Sequence, residues 1–324
     1  MTSIVRIESH GGPEVLTVAE TQLAPPAPGQ LRLRQTAIGV NYHDVYVRSG
    51  LYKTLPLPGV PGIEAVGVVE GIGNGVTGFE VGDRVGYVSG GYGCYAEARN
   101  LDARLAVKLP DSLTDAQGAA SLMKAFTACM LLNRVRQCKA GDTILVHAAA
   151  GGAGQLLTSW ASQIGATVIG TVGTQAKADI ARSHGAAHTI LYREEDFVAR
   201  VNAITGGEGV AAAYDSVGAD TFAGSLASLG FLGHLVLFGQ SSGPVEPLAP
   251  AALSGKSLTL SRPIVFHYIR TPELLEAVAS ETFAAFASGA IKPIDPIELP
   301  LADAAEAHRL LEARQSPGGI VLIP

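Results

Sequence analysis

The run Thr143-Ile-Leu-Val-His147 leads straight into Ala148-Ala-Ala-Gly151-Gly152-Ala153-Gly154 and then into a helical apolar stripe, and this juncture restricts the fold more than any other segment. A short apolar strand, a turn of the smallest side chains and an immediate helix let a backbone approach a diphosphate. Small residues at 148, 151 and 154 permit the tight turn, the close approach and the packing of helix on strand. The helix amino terminus adds unpaired N–H groups and the positive end of its dipole. The stripe is Leu156, Leu157, Trp160, Ala161 and Ile164, and Gly165 stands at the stop position.

The same texture continues downstream. Residues 167–172, 188–191, 211–216, 234–239 and 258–261 are β-forming runs separated by amphipathic helical stretches, which is how a parallel sheet covered on both faces is written. With residues 143–147 they make six strands, a full Rossmann sheet. Up to about Leu109 the pattern differs: residues 4–8, 31–40, 65–72, 84–89 and 94–98 are β runs cut by Gly and Pro, and a small barrel is expected. Leu31, Leu33 and Gln35 alternate with Arg32, Arg34 and Thr36, the period of a half-buried strand. Past Pro263, helices are expected from Thr271-Pro272 and over residues 303–313, and this tail is assigned back to the first domain. The expected domains are residues 1–122 with 263–324, and residues 123–262.

Composition removes several functional classes. The 29 acids against 23 bases give a net charge of −6, which provides no basic field for gripping nucleic acid. Cys94, Cys129 and Cys138 are too few and too scattered for a disulfide framework or a cysteine-rich zinc site, and suit a reducing compartment. Arg6, Glu8 and His10 interrupt the amino terminus where a signal peptide needs apolar residues, and no window reaches the ~18 apolar residues of a membrane span. A cytoplasmic protein is expected.

Two motifs match famous patterns in the wrong context. Gly73-Asn-Gly75-Val-Thr-Gly78 fits G-x-G-x-x-G, yet a strand rather than a helix comes next, so it is read as a hairpin. Gly239-Gln240-Ser241-Ser242-Gly243 fits the serine-hydrolase elbow, but the proline-rich residues 244–250 replace the helix that an elbow requires. Cofactor choice is read from the end of the second strand. There Gly173 and Thr174 stand where an NAD site carries an acid, with no carboxylate before Asp179; Lys177 lies one turn into the next helix, so NADP(H) is favoured. Eight histidines include no H-x-x-x-H pair near a cysteine, and a metal-free site is expected.

These features, together with His10-Gly-Gly-Pro-Glu-Val-Leu16, Ile38-Gly-Val-Asn41, Arg48-Ser-Gly-Leu-Tyr52, Gly170-Thr-Val-Gly-Thr174, Tyr192-Arg-Glu-Glu-Asp196 and Tyr214-Asp-Ser-Val-Gly218, resemble the zinc-independent quinone oxidoreductases of the medium-chain dehydrogenase/reductase superfamily, the group that includes zeta-crystallin. The likeness runs essentially end to end. It implies an α/β protein with a β-rich GroES-like barrel domain plus a six-stranded parallel Rossmann domain. Zinc relatives carry Cys where this chain has Asn41 and His where it has Ile63 beside Glu64. By the resemblance, Asn41, Tyr46 and Thr127 would line the nicotinamide end, and Ala150, Gly151, Gly152 and Ala153 would hold the pyrophosphate. Gly173, Thr174, Lys177 and Tyr192 would surround the 2′-phosphate ribose. Ser216, the loop Phe238-Gly239-Gln240-Ser241, the crossing segment Ile264-Val265-Phe266 and Arg314 would complete the cofactor site. Ala153 stands where a valine is usual, and Gln240 where relatives often have asparagine.

The expected activity is NADPH-dependent reduction of a quinone or electron-poor enone held in an interdomain cleft, without metal. Asn41, Tyr46 and Tyr52 are the expected donors near developing oxyanion charge. Reduction of an enone or enoyl thioester needs the same hydride geometry and is the alternative. An NADPH-responsive RNA-binding role, which the resemblance also raises, is opposed by the acidic balance. Relatives pair as homodimers through the edge of the cofactor sheet, and Ser257-Leu-Thr-Leu-Ser261 is an apolar run suited to such an edge.

Overall fold

Two units divide the chain in the computed structural model, which describes residues 1–313 and 318–324. Met1–Lys124, Ile269–Phe283 and Pro293–Pro324 form the first unit, and Ala125–Tyr268 with Ala284–Lys292 form the second. The sequence pattern carries all of residues 263–324 with the first domain. Here residues 263–268 and 284–292, short segments with Val265, Ala285 and Ile291 buried, lie with the second.

Along the chain come β1 (Thr2–Arg6), β2 (Thr17–Thr21), β3 (Gln30–Val40), helix α1 (Tyr42–Ser49), β4 (Glu64–Ile72), β5 (Arg84–Val88), β6 (Ala98–Asp102) and β7 (Ala106–Lys108). Helix α2 (Asp115–Met130) is next. The second unit alternates β8 (Thr143–Val146), α3 (Gly152–Ile164), β9 (Thr167–Val172), α4 (Gln175–Ser183), β10 (His188–Leu191), α5 (Phe197–Ile204), β11 (Val210–Asp215), α6 (Phe222–Ala227), β12 (Leu229–Leu237) and β13 (Thr259–Ser261). The chain ends with α7 (Val265–Tyr268), α8 (Pro272–Ala287), β14 (Ile297–Pro300), α9 (Ala304–Glu312) and β15 (Ile320–Ile323).

In the first unit β1 pairs with β2, and a seven-stranded sheet runs β14-β15-β3-β4-β5-β7 with β6 also laid on β3. Leu31, Leu33 and Gln35 of β3 are buried and Arg34 is exposed, as the period of two requires. The strand expected at residues 94–98 starts later, at Ala98. The reason is Gln35, whose Nε2 donates to the Cys94 carbonyl at 2.9 Å and also to the Ala96 carbonyl, so a side chain takes acceptors that a ladder would use. β2, β14 and β15 are not evident from the sequence pattern; β2 is mostly exposed and polar, and β14 is short and ends in proline.

The second unit is a six-stranded sheet in the order β10-β9-β8-β11-β12-β13, every neighbouring pair parallel. Leu156, Leu157, Trp160 and Ala161 are buried on α3, and Gly165 ends it in the left-handed conformation at φ 98°. Leu145, Ile169, Ile190, Ala213 and Leu235, one from each of five strands, share one apolar cluster. The Gly73–Gly78 run falls between β4 and β5 with Gly75 and Gly78 left-handed, a turn and not a helix entry.

A buried polar chain ties α1 to α9 in the first unit. Arg48 makes a two-pronged ion pair with Glu312, both contacts 2.9 Å, and its Nη1 donates to His308 Nδ1 at 3.1 Å. Because a guanidinium only donates, His308 Nδ1 is the acceptor and Nε2 carries the proton. Nε2 therefore donates to the Tyr95 hydroxyl at 2.9 Å, which donates onward to Asp44 Oδ2 at 3.3 Å. Burial and the neighbouring Arg48 charge push the His308 pKa down to about 3. Since the folded value lies below the unfolded one, the unfolded chain binds the extra proton. The contribution is present above pH ~6.5 and is lost as pH falls toward 3. In His308→Gln the melting temperature should be lower than wild type at pH 7.5, and the gap should narrow as pH drops to 5, measured by thermal denaturation across pH.

Candidate active site

Two constellations gather the candidate residues, one in each unit. In the second, Ala148 is left-handed at φ 52°, which folds the chain back so that Gly151 N–H reaches the Ala148 carbonyl at 2.8 Å. Helix α3 then starts at Gly152 with Gly151 as its cap, and its first-turn N–H groups point out of the helix end. A side chain at Gly154 would place its Cβ 2.2 Å from the Ala148 carbonyl oxygen and 2.8 Å from Ala149 Cα, so only glycine lets helix and turn close together. Gln155 locks the turn from behind, its Nε2 donating to the Ala150 carbonyl at 2.8 Å.

At the end of β9 the polypeptide opens again. Thr174 caps α4, accepting the Lys177 N–H at 3.4 Å. A Cβ on Gly173 would lie 3.1 Å from the Tyr192 hydroxyl and 3.4 Å from Arg193 Nε, so these two side chains close directly on bare backbone. Tyr192 and Arg193 thus face the position where an acid would exclude a phosphate, and Lys177 lies in the first turn of α4 that follows. Three of the nearby carboxylates are engaged elsewhere: Asp179 pairs with Arg182 at 2.6 Å, Glu195 with Arg200 at 2.7 Å, and Asp196 caps α5. Arg193 is not evident from sequence although it directly succeeds Tyr192. Its exposure and its place in an acidic run hide it.

The strand ends are braced by a buried network. His147 bonds Thr171 through Nδ1 and Ser225 through Nε2, both at 2.9 Å, and Ser225 Oγ donates to Asp215 Oδ2 at 2.7 Å. Asp215 Oδ1 accepts from the backbone of Val217 and Gly218. Burial holds the His147 pKa low. Ser216 and Ser241 meet through Ser241 N–H to the Ser216 carbonyl at 3.2 Å, and Gly239 is glycine because a Cβ would strike that carbonyl at 2.5 Å. Gln240 and Phe238 share this loop. Ile264 is 45% exposed whereas Val265 beside it is buried, and Phe266 comes next on α7. Thr127 is half-buried on α2, and Arg314 lies outside the described residues.

In the first unit Asn41 succeeds β3 and caps α1, its N–H bonded to Asp44 Oδ2 at 2.8 Å. Its side chain is held at both ends: Nδ2 donates to Glu64 Oε2 at 2.8 Å, and Oδ1 accepts from Lys124 Nζ at 3.3 Å. That pairing fixes which amide atom is nitrogen. Glu64 Oε1 accepts the Met123 N–H at 2.6 Å. Burial raises the pKa of Glu64 and pushes that of Asp44 up to about 7; burial also lowers that of Lys124, against the pull of Glu64 and Asp44. Gly39 allows this approach, since its Cβ would lie 2.5 Å from Glu64 Oε2. Beyond Asn41, α1 and the turn after it gather aromatic rings. Tyr46 and Tyr52 meet edge to face at 5.1 Å, and His43 stands 5.5 Å from Tyr52 and 5.9 Å from Tyr92. The Tyr92 hydroxyl bonds His43 Nε2 at 3.2 Å and also Thr54. Burial pushes the His43 pKa down to about 4, leaving it neutral at pH 7.

Glu64, Lys124, His43 and Tyr92 belong to this constellation and are not singled out by sequence. One signal was available: Glu64 is an acid inside the apolar run of β4. Among the described residues, no three His, Cys, Asp or Glu side chains gather as a metal would need.

Two family models and many known proteins match the chain. Residues 27–111 match the alcohol dehydrogenase GroES-like domain family, and residues 152–280 match the zinc-binding dehydrogenase family. The chain is 44% identical to the quinone oxidoreductase of Salmonella typhimurium over 100% of both chains, and 40% identical to the 2-haloacrylate reductase of a Burkholderia species over 98% of each. The crystal structure of Escherichia coli quinone oxidoreductase complexed with NADPH superposes with a TM-score of 0.96 at 43% identity, covering 99% of this chain and 100% of that one. Gly154→Ala should lower stability by about 1–3 kcal/mol through the clash with Ala148. Gly151→Ala, whose Cβ would meet that oxygen at 3.2 Å, should cost less than about 1 kcal/mol. Urea denaturation of the two variants separates them.

Proposed function

The chain belongs to the quinone oxidoreductase family of the medium-chain dehydrogenase/reductase superfamily, and from that membership we propose that it moves hydride from NADPH to a quinone or an electron-poor enone. The observation that carries the cofactor half is the end of β9, where Gly173 is bare backbone faced by Tyr192 and Arg193, with Lys177 in the first turn of the helix that follows. A 2′-phosphate brings about two negative charges and several acceptor oxygens, which suit two cations and a phenol and would be repelled by the acid of an NAD site. The glycine turn with Ala150, Gly151, Gly152 and Ala153 would hold the pyrophosphate on backbone N–H groups. Ser216, the loop from Phe238 to Ser241, Ile264, Val265, Phe266, Thr127 and Arg314 are proposed to complete the binding surface.

Bound NADPH supplies the hydride. The first unit supplies the acceptor's surroundings. An amide nitrogen carries two donors; Glu64 takes one from Asn41, and the other is assigned to the acceptor oxygen as negative charge grows there. Glu64 and Lys124 prevent the amide from turning, so the donor is set before the reaction begins. Tyr46 and Tyr52 present ring edges and faces that suit a flat, electron-poor ring. A second reading, reduction of an activated carbon–carbon double bond, uses the same groups and is favoured by the likeness to 2-haloacrylate reductase.

No helix among the described residues is long and apolar enough to cross a membrane. Cys94, Cys129 and Cys138 are buried and form no disulfide, which suits a reducing compartment, and a cytoplasmic site of action is proposed. β13 is a three-residue edge strand, and a homodimer through that edge is proposed. Three measurements test these assignments. Stopped-flow mixing should show NADPH consumed one-for-one by 1,4-benzoquinone, 9,10-phenanthrenequinone or a simple enone; indifference to every acceptor would remove the assignment. Lys177→Ala should weaken NADPH binding at least tenfold while leaving NADH unchanged. Sedimentation at micromolar concentration should return twice the 33.3 kDa chain mass, and a monomer would contradict the edge pairing.

A further inference from the structure

We propose that Lys124 is the proton donor of this reaction: its ammonium, set against the Asn41 amide, passes a proton to the oxygen anion that hydride transfer leaves on the acceptor. The inference rests on the reading of Asn41 as the group that faces that oxygen.

Placement comes first. Lys124 Nζ lies 3.3 Å from Asn41 Oδ1 and donates to the Ala120 carbonyl of its own helix at 2.8 Å. An ammonium has three donors, and among the described residues these two contacts leave one over. Lys124 is not placed simply as a counter-ion for Glu64. Each Glu64 oxygen has a donor of its own, the Met123 N–H on one and Asn41 Nδ2 on the other, and the hydrogen bond of the lysine goes to the amide oxygen. The residue as a whole is half-buried, while its ammonium is withdrawn from water beside the Asn41 amide.

The charged and titratable groups facing Lys124 are Glu64 on β4 and Asp44 on α1. Burial favours its neutral amine, while the two acids favour the ammonium. The result is a lysine that releases its proton more readily than a surface lysine, set by its two contacts against acceptor oxygens as a donor, which is what general-acid work needs. Neighbours are less suited. His43 is neutral at pH 7 and engaged with Tyr92. The Tyr92 hydroxyl is tied to Thr54 and His43, and burial raises its pKa.

The balance is simple. The acceptor gains two electrons and one hydrogen as hydride from the reduced nicotinamide, which becomes oxidised, and its carbonyl oxygen gains the negative charge. An O–H bond forms there as an N–H bond of Lys124 breaks. Solvent then reprotonates the amine.

Three proteins decide the matter: wild type, Lys124→Met and Lys124→Arg. Arginine keeps the positive charge beside Glu64 and the donors, so the fold is protected, but it does not give up a proton in this pH range. With NADPH and 9,10-phenanthrenequinone, kcat/KM of wild type should fall on the alkaline side as Lys124 loses its proton. Both variants should lose about 100-fold in kcat at pH 7 and that alkaline limb with it, while the NADPH Kd stays within twofold. A second readout needs no NADPH: absorbance titration with 4-nitrophenolate, a stand-in for the reduced oxyanion. Wild type and Lys124→Arg should bind it, and Lys124→Met should bind it at least tenfold more weakly. A Lys124→Arg protein that keeps the wild-type rate and alkaline limb overturns the proton-donor role. Equal phenolate binding by Lys124→Met overturns the contact itself. If no acceptor makes wild type oxidise NADPH, the proposed activity fails, and the phenolate titration still rules on Lys124.

Discussion

The fully buried Glu64 carboxylate is the contact on which the first unit's chemistry depends. One oxygen takes the Asn41 amide and the other takes a backbone N–H of α2, so a single side chain joins β4, the cap of α1 and the middle of α2. Taking a carboxylate out of water is costly, and it persists only where both oxygens are bonded and a positive charge is near. Lys124 provides that charge, and Gly39 provides the room by having no side chain. The same arrangement leaves Asn41 unable to rotate. The amide proposed to face the acceptor is thus oriented by groups whose first role is to make a buried acid tolerable.

A parallel logic governs the second unit, where the constraint is space rather than charge. Helix α3 can begin where it does only because Gly154 lies against the Ala148 carbonyl, and β9 can end open only because Gly173 lies against Tyr192 and Arg193. Behind these gaps, His147, Thr171, Ser225 and Asp215 link the ends of β8, β9 and β11 by side-chain hydrogen bonds. A buried network in which every member is bonded is rigid, and a rigid backbone can present its N–H groups without rearranging. The two units therefore contribute unlike things: a fixed surface of backbone donors, and a fixed set of side-chain donors.

How much of this is legible in the sequence depends on the range over which each signal acts. The strand–turn–helix at residues 143–164 is readable because its constraint is local: small residues, a stripe and a terminal glycine lie within one stretch of chain. The Gly73–Gly78 mimic is separated from it on the same ground, because its next element is strand β5 and no helix dipole points at the turn. Helix α1 is not legible, although Asn41 and Asp44 have capping spacing, because eight residues with three aromatic rings carry little helical periodicity. The strand expected at residues 94–98 shifts to Ala98–Asp102 because Gln35, some sixty residues away in sequence, occupies its carbonyls.

The amino-acid order alone determined the parallel dinucleotide sheet, the β-rich character of the amino-terminal part and the glycine in place of an acid at 173. Those depend on periodicity, steric size and charge at single positions. Only the folded chain decided that Glu64, Lys124 and Asp44 converge on Asn41, that Arg193 joins Tyr192 against Gly173, and that His43 is held neutral against Tyr92. Each of these is a meeting of side chains from separate elements. The desolvation that shifts their proton affinities exists only once packing has removed the water between them.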